Sequence, residues 1–429
     1  MRGLMRRAVV VAGAVVVLLG PAVGVASAGG TAAGPRLAAG ARAGSGGTWG
    51  TAEELPGIAA LNTGGDALVG SVSCASAGNC SAGGFYTDSS GHQQAFAASQ
   101  VNGTWGTAEE VPGIAALNTG GYALVGSVSC ASAGNCSAGG FYTDSSGGQQ
   151  AFVASQVNGT WGKAKEVPGT AALNTGNAQI NSVSCASAGN CSAGGTYTGS
   201  SGQMQAFVIS QAHGTWGTAK VVPGTGGSAE VLGVSCGSAG NCTAGGRYYD
   251  SSGHQQAFVV SQVNGTWGTA KEVPGTAALN QGGSARIGGL SCASAGNCTA
   301  GGYYTDSSGH SQAFVDSQVN GTWGKAKEVP GTATLSTGLG AAITSVSCAS
   351  AGNCSAGGSY SSSPGGQAFV VSQVGGTWGT AEEVPGTAGL NTGDRAAIHS
   401  VSCASAGNCS AGGSYQDSGN IQAFVVSQT

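Results

Sequence analysis

The chain has 429 residues, 82 of them glycine, and only 7% are charged, against the roughly 25% usual in globular domains. Its formal charge of −4, with few lysines and arginines, excludes the basic footprint of a nucleic-acid binder. Composition alone would suit a disordered chain, but apolar and aromatic residues recur at fixed spacing, which low-complexity linkers do not show.

Residues 1–28 read as an export signal: a basic start "MRGLMRR", the apolar run "AVVVAGAVVVLLG" and a small-residue cleavage site at Ala26 to Ala28. The apolar run is short and poorly anchored for a transmembrane span, a retained N-terminal anchor being the competing reading, and no other segment suits one, so secretion without membrane insertion is expected. Cleavage after Ala28 removes three of the 14 basic residues, Arg2, Arg6 and Arg7, and takes the charge from −4 to −7. Residues 29–47, "GGTAAGPRLAAGARAGSGG", lack periodicity and aromatics and read as a linker. Residues 48–429 form the domain.

That domain repeats seven times. The first cysteines of successive pairs lie 56, 55, 51, 56, 56 and 55 residues apart, and "GTW" and "QAF" recur in step with them. Each unit reads as four short strands, here "ALVGSVSC" (67–74), "CSAGGFY" (80–86), "QAFAASQV" (94–101) and "TWGTAEEVP" (104–112), separated by turn residues. Glycines and β-branched residues break any helical stripe, so no helix is expected. The pattern predicts an all-β, seven-bladed β-propeller with four antiparallel strands per blade. The chain enters at an unpaired outer-strand segment, 47–56, and ends on a third strand, 421–429. Joining the two would close the ring and cover a bare sheet edge.

All 14 cysteines fall into pairs with five residues between them: Cys74/Cys80, Cys130/Cys136, Cys185/Cys191, Cys236/Cys242, Cys292/Cys298, Cys348/Cys354 and Cys403/Cys409. Each pair brackets the hairpin between the innermost strand and its neighbour, and strand ends facing each other across a five-residue turn fall within disulfide reach. Zinc sites favour two to four residues between paired cysteines and further ligands nearby, and no histidine accompanies these pairs. Structural disulfides are therefore expected, with no metal and no cofactor.

The turn "SQVNGTW" (99–105) resembles the Asp-box of bacterial sialidase-like propellers, a Ser-x-Asp-x-Gly-x-Thr-Trp turn at this place in the blade. Ser99, Gly103, Thr104 and Trp105 match in kind, the turn is one residue shorter, and Asn102 stands for the aspartate at a shifted position. The paired-cysteine unit also looks like repeats of secreted bacterial propellers. The resemblance implies a folding element away from the catalytic face. It carries over no catalytic residue, because Arg247, Arg286 and Arg395 align with no carboxylate clamp.

Two sets of residues compete for a ligand on the rim opposite the disulfide hairpins, where loops ride a rigid scaffold. One recurs around the ring: Tyr86, Asp88 and His92; Tyr142 and Asp144; Tyr248, Asp250 and His254; Tyr304, Asp306 and His310. An aromatic plane beside a carboxylate suits a sugar, and repetition would add avidity; the competing reading is tyrosines packed between blades and "DSSG" as plain turns. The other set gathers where the copies differ, just before and along the innermost strands: Asp66, Tyr122, Asn177, Gln179, Asn181, Glu230, Arg286, Arg395 and His399. A spacing of two puts these columns on one strand face at the mouth of the central channel.

An enzyme needs an activated nucleophile or an acid–base pair held in register, and blades that differ sharply. Neither is evident. The sequence favours a secreted, monomeric, non-catalytic binding module for carbohydrate, with a scaffold for another secreted protein as the alternative and a glycoside hydrolase or sialidase-like enzyme third.

Overall fold

In the computed structural model, the described residues are 53–337, 340–362, 365–417 and 420–428, together with Val16–Val17. They form a seven-bladed β-propeller built on four antiparallel strands per blade, the last blade showing three of them among the described residues. The first blade runs from an innermost strand, Ala67–Ser76, through Asn79–Thr87 and Gln93–Val101 to an outer strand in two pieces, Thr104–Trp105 and Glu109–Glu110. Innermost strands of the other blades begin at Ala123, Ala178, Ala229, Ala285, Ala341 and Ala396.

The outer strand is not the continuous 104–112 that its sequence predicts. Gly106 N–H donates to Ser99 O within the blade, but Ala108 N–H turns away to Pro56 O, as Ala164 N–H does to Pro112 O. The strand is cut to tie each blade to the segment before it. A second departure lies in the crossings. Six of them carry a single helical turn, Ile58–Leu61 being the first, among the described residues. Gly57, at φ 79°, turns the chain after Pro56, and Asn62 N–H then closes the turn on Ile58 O. The crossing between the third and fourth blades, four to five residues shorter, has no such turn.

Apolar side chains fill the space between blades. Phe96, Phe152, Phe207, Phe258, Phe314 and Phe369 are fully buried, the last five among valines and alanines of their own and the preceding blade, and Phe96 beside Tyr86, Ala98, Ala108 and Leu55. The paired glycines of "SAGG" are what let strands approach so closely. A Cβ on Gly84 would stand 1.8 Å from Leu68 O, and one on Gly83 2.4 Å from Val125 Cγ1 of the next blade.

Successive innermost strands are joined by the serines of "SVSC". Val128 N–H donates to Ser71 Oγ (2.9 Å) and Cys130 N–H to Ser73 Oγ (3.0 Å), satisfying backbone donors on a strand edge that has no further strand to pair with. The same bonds recur from Ser127 and Ser129 to the third blade and from Ser345 and Ser347 to the seventh.

All seven cysteine pairs are disulfides: Cys74–Cys80, Cys130–Cys136, Cys185–Cys191, Cys236–Cys242, Cys292–Cys298, Cys348–Cys354 and Cys403–Cys409. Their setting corrects the expected one. The cysteines are not strand ends across a five-residue turn, because both strands run on beyond them, to Ser76 and from Asn79 in the first blade. Cys80 therefore lies inside the second strand, directly opposite Cys74, and Cys136, Cys191 and Cys242 lie likewise opposite Cys130, Cys185 and Cys236. The chain reverses over Ala77 and Gly78 alone, which the φ of 70° at Gly78 permits. Nor is each second cysteine only a staple within its blade. The sulfurs of Cys136, Cys191 and Cys242 meet the hydroxyls of Ser81, Ser137 and Ser192 in the preceding blade, at 3.3, 3.5 and 3.4 Å. The sulfur of Cys80 belongs to the first blade, which no described blade precedes in the chain.

Asn79 ties each hairpin to the neighbouring bottom turn: its Oδ1 accepts from Asn102 N–H, at a residue with φ 50°. The bridges suit an extracellular or otherwise oxidising environment. Among the described residues no group of histidine, cysteine or carboxylate side chains could hold a metal. No described helix is long and apolar enough to cross a membrane.

The expected export signal, linker and entering tryptophan of the closing strand lie outside the described residues, except that Val16–Val17 pairs in parallel with Ser73 and Cys74. The last blade shows three strands, Ala396–Ser405, Asn408–Asp417 and Asn420–Ser427.

Candidate functional site

The loop set resolves into scaffolding. Tyr86 and Tyr142 are buried, and their hydroxyls donate to Glu110 (2.7 Å) and Glu166 (3.1 Å) on the outer strand of the same blade. Tyr304 repeats the bond with Glu328, and Tyr360 with Glu383. Burial, together with the neighbouring glutamates, holds these phenols well above their ordinary range. Tyr248 packs edge-on against Phe258 with ring centroids 6.3 Å apart. The expected open stacking plane is absent at these tyrosines, because their rings form part of the interblade core.

The aspartates beside them organise turns. Asp88 accepts from Ser90 N–H, His92 N–H and Gln94 Nε2, and Gln94 Oε1 in turn accepts from Asn118 in the next crossing. Asp144 and Asp250 repeat this arrangement. Asp306 repeats it without the last link, since Ser336 replaces the asparagine and Gln312 Oε1 meets no described donor. Hydrogen bonds from Ser146 and Gln150, Gln256 and Gln312 hold the three carboxyls below the usual range. His92 and His254 are exposed and lie over Gly121 and Gly283, while His310 is exposed on the equivalent turn.

The mouth set is partly brought together. Gln179 Nε2 donates to Asn181 Oδ1 (2.7 Å), and Asn181 Nδ2 crosses to the fourth blade, donating to Val231 O (2.8 Å) and Glu230 Oε1 (3.3 Å). Glu230 then pairs with Arg247 at 2.9 Å. One blade further, the Arg286 guanidinium sits over the Tyr303 ring, 5.3 Å from its centroid, and the Tyr303 hydroxyl donates to Gln255 Oε1, which also accepts from Ser284. The short crossing without its helical turn leads directly into the strand that carries Glu230.

Sequence reasoning missed Arg247, Tyr303 and Gln255. The available signal was register: Glu230 stands opposite Arg247, and Arg286 opposite Tyr303, where other blades have residues such as Leu68 opposite Phe85. The remaining members are dispersed. Asp66 is exposed on the first blade, and its backbone oxygen accepts from Thr87. Tyr122 meets Phe141 edge-on, Asn177 accepts from Gln149 N–H, and His399 bonds Ser414. Arg395 borders a separate cleft with Ser359, Tyr360 and Ser414.

No protein family and no curated protein matches the chain. Similar solved structures include a GH74 xyloglucanase from Xanthomonas campestris (12% identity, 84% of this chain and 54% of that one, TM-score 0.46). A Hadza microbial sialidase matches at 11% identity over 82% of this chain and 64% of that one (TM-score 0.40). A fucose-specific lectin from Aleuria aurantia matches at 13% identity over 68% and 88% (TM-score 0.34). The chain spans about half the length of the xyloglucanase.

Proposed function

We propose that the chain is a secreted, non-catalytic binding module whose mouth across the third to fifth blades takes a carbohydrate. The observation that carries this reading is the run Gln179–Asn181–Glu230–Arg247, a chain of amide, carboxylate and guanidinium groups bonded across two blades. Sugar hydroxyls both donate and accept, so they suit a surface where such groups alternate. The mutual bonds fix the side chains beforehand and lower the ordering cost of binding. The Arg286–Tyr303 stack adds a flat, partly exposed edge beside them. In this reading the Asp-box-like turns serve the opposite rim as folding elements.

A glycan array probed with the secreted chain tests it. Bound glycans are expected, with signals falling at least tenfold in an Asn181→Ala/Glu230→Gln double variant that folds normally. An empty array, or hits indifferent to that variant, would sink the reading.

A further inference from the structure

We infer that the opposite rim, at the disulfide end of the ring, carries two small sites for a neutral sugar, one between the fourth and fifth blades and one between the fifth and sixth. They are independent of the mouth, and the argument begins with a serine that becomes a threonine.

Between the first and second blades, Ser81 Oγ touches the Cys136 sulfur and also donates to the carboxamide oxygen of Gln156, a buried residue of the next blade (3.4 Å). Ser137 does the same for Gln211 (3.4 Å) and Ser192 for Gln262 (3.2 Å). At the next two positions the serine is replaced by Thr243 and Thr299. A β-branched side chain has a restricted χ1, and here each threonine hydroxyl keeps the sulfur contact but not the glutamine: Thr243 lies against Cys298 (3.3 Å), Thr299 against Cys354 (3.4 Å). Gln318 and Gln373 are then left without a donor. Both are more than nine-tenths buried, and no described hydrogen-bond donor reaches Oε1 of either one. Their Nε2 groups stay fixed, on Ser261 and Gly321 O for Gln318 and on Ser317 and Gly376 O for Gln373.

A buried amide oxygen without a donor is destabilising, a penalty that a bound donor would relieve. Clefts stand at both places. One is lined by Thr243, Gln262, Val263 and Gln318, the other by Thr299, Gln318, Val319 and Gln373, and each encloses about 260 Å³. A single water needs only about 10–15 Å³ on the same measure, while drug-sized ligands take roughly 300–1,000 Å³. The room is that of one small ring. Neither lining contains a charged side chain, which selects a neutral ligand. Val263 and Val319 are 60% and 61% exposed at the two lips, offering an apolar surface to the C–H face of a pyranose. The ligand chemistry is therefore a neutral monosaccharide that places one hydroxyl as donor toward the glutamine.

Saturation-transfer NMR of the mature chain with free glucose, galactose, mannose and N-acetylglucosamine tests this. At least one sugar is expected to show transfer, and a Thr243→Ser/Thr299→Ser variant is expected to weaken it at least tenfold. That variant restores the serine found in the five other blades, three of which show the serine–glutamine bond, so the internal donor returns with little risk to folding. No transfer from any of the four sugars overturns the inference. So does transfer that survives in the serine variant. A response lost in Glu230→Gln but kept in the serine variant also overturns it, while leaving the mouth reading intact.

Discussion

The Tyr86 hydroxyl reaches across the third strand of its own blade and donates to the Glu110 carboxylate at 2.7 Å, an arrangement repeated by Tyr142 with Glu166 and Tyr360 with Glu383. The bond lies between the blade core and its outer strand. It explains how a two-residue piece such as Glu109–Glu110 stays attached with so little pairing.

Replacing Tyr86, Tyr142, Tyr304 or Tyr360 with phenylalanine is expected to lower stability by about 1 kcal/mol each, by denaturant unfolding, without weakening ligand binding. The pH dependence follows from the raised phenol pKa. An unfolded tyrosine ionises near 10, whereas the folded one resists, so this contribution is complete below about pH 10 and is lost as pH rises beyond it. The quadruple phenylalanine variant should therefore show a shallower alkaline decline than wild type.

Asp316 stands where the other blades have Ala98, Ala154, Ile209, Val260 and Val371. It is buried, its Oδ2 meets no donor among the described residues, and burial pushes its carboxyl up to about 7 despite backbone bonds and the nearby Lys327. Since the folded pKa exceeds the unfolded value near 3.9, the group destabilises the fold at high pH. Stability should rise as pH falls from about 7 towards 4. Asp316→Val is expected to flatten this rise and to add about 1–3 kcal/mol at pH 8, read from urea midpoints across pH. An unchanged pH profile would show that the carboxyl is solvated.

Each disulfide closes a short ring, the cysteines being six positions apart in sequence. Such a loop contributes about 2 kcal/mol in the chain-entropy account. A Cys74→Ala/Cys80→Ala variant should lose roughly that amount in urea unfolding. Full reduction should lower the midpoint far more, since every blade is stapled.

The seam between the last and first blades offers a further test. Leu68 and Val69 on the first blade are 54% and 46% exposed, whereas Leu124 and Val125 at the same positions in the second are buried. Pro56 holds Ala108 as Pro112 holds Ala164, and the sequence expectation is that residues 47–56 cover that seam. A chain beginning at residue 53 is expected to melt several degrees lower than one beginning at residue 29, and to aggregate more readily. An identical melt would show that residues 47–52 do not close the ring.

Much of the fold was legible because repetition does the work of comparison. Phe96 and its six counterparts, the cysteine pairs and the turn residues recur in phase, and a two-residue period can only build strands. The loop tyrosines were not legible. Tyr86 and Glu110 are 24 residues apart, and nothing in "FYTDSSG" says whether the ring faces solvent or the next blade. The mouth lay between these cases: Gln179, Asn181 and Glu230 stood out as departures from the repeat, but Arg247 belongs with them only through cross-strand register.

The sequence by itself determined the number of blades, the strand order within each and the cysteine partners, because these depend on local periodicity and short loop closure. Only the tertiary structure decided which polar groups meet. Ser71 capping the next blade's backbone, Asn181 reaching Glu230, and Thr243 leaving Gln318 without a donor all join residues about 49–75 positions apart. Such pairs form where neighbouring blades are pressed face to face, and the angle and register of that packing belong to the ring as a whole.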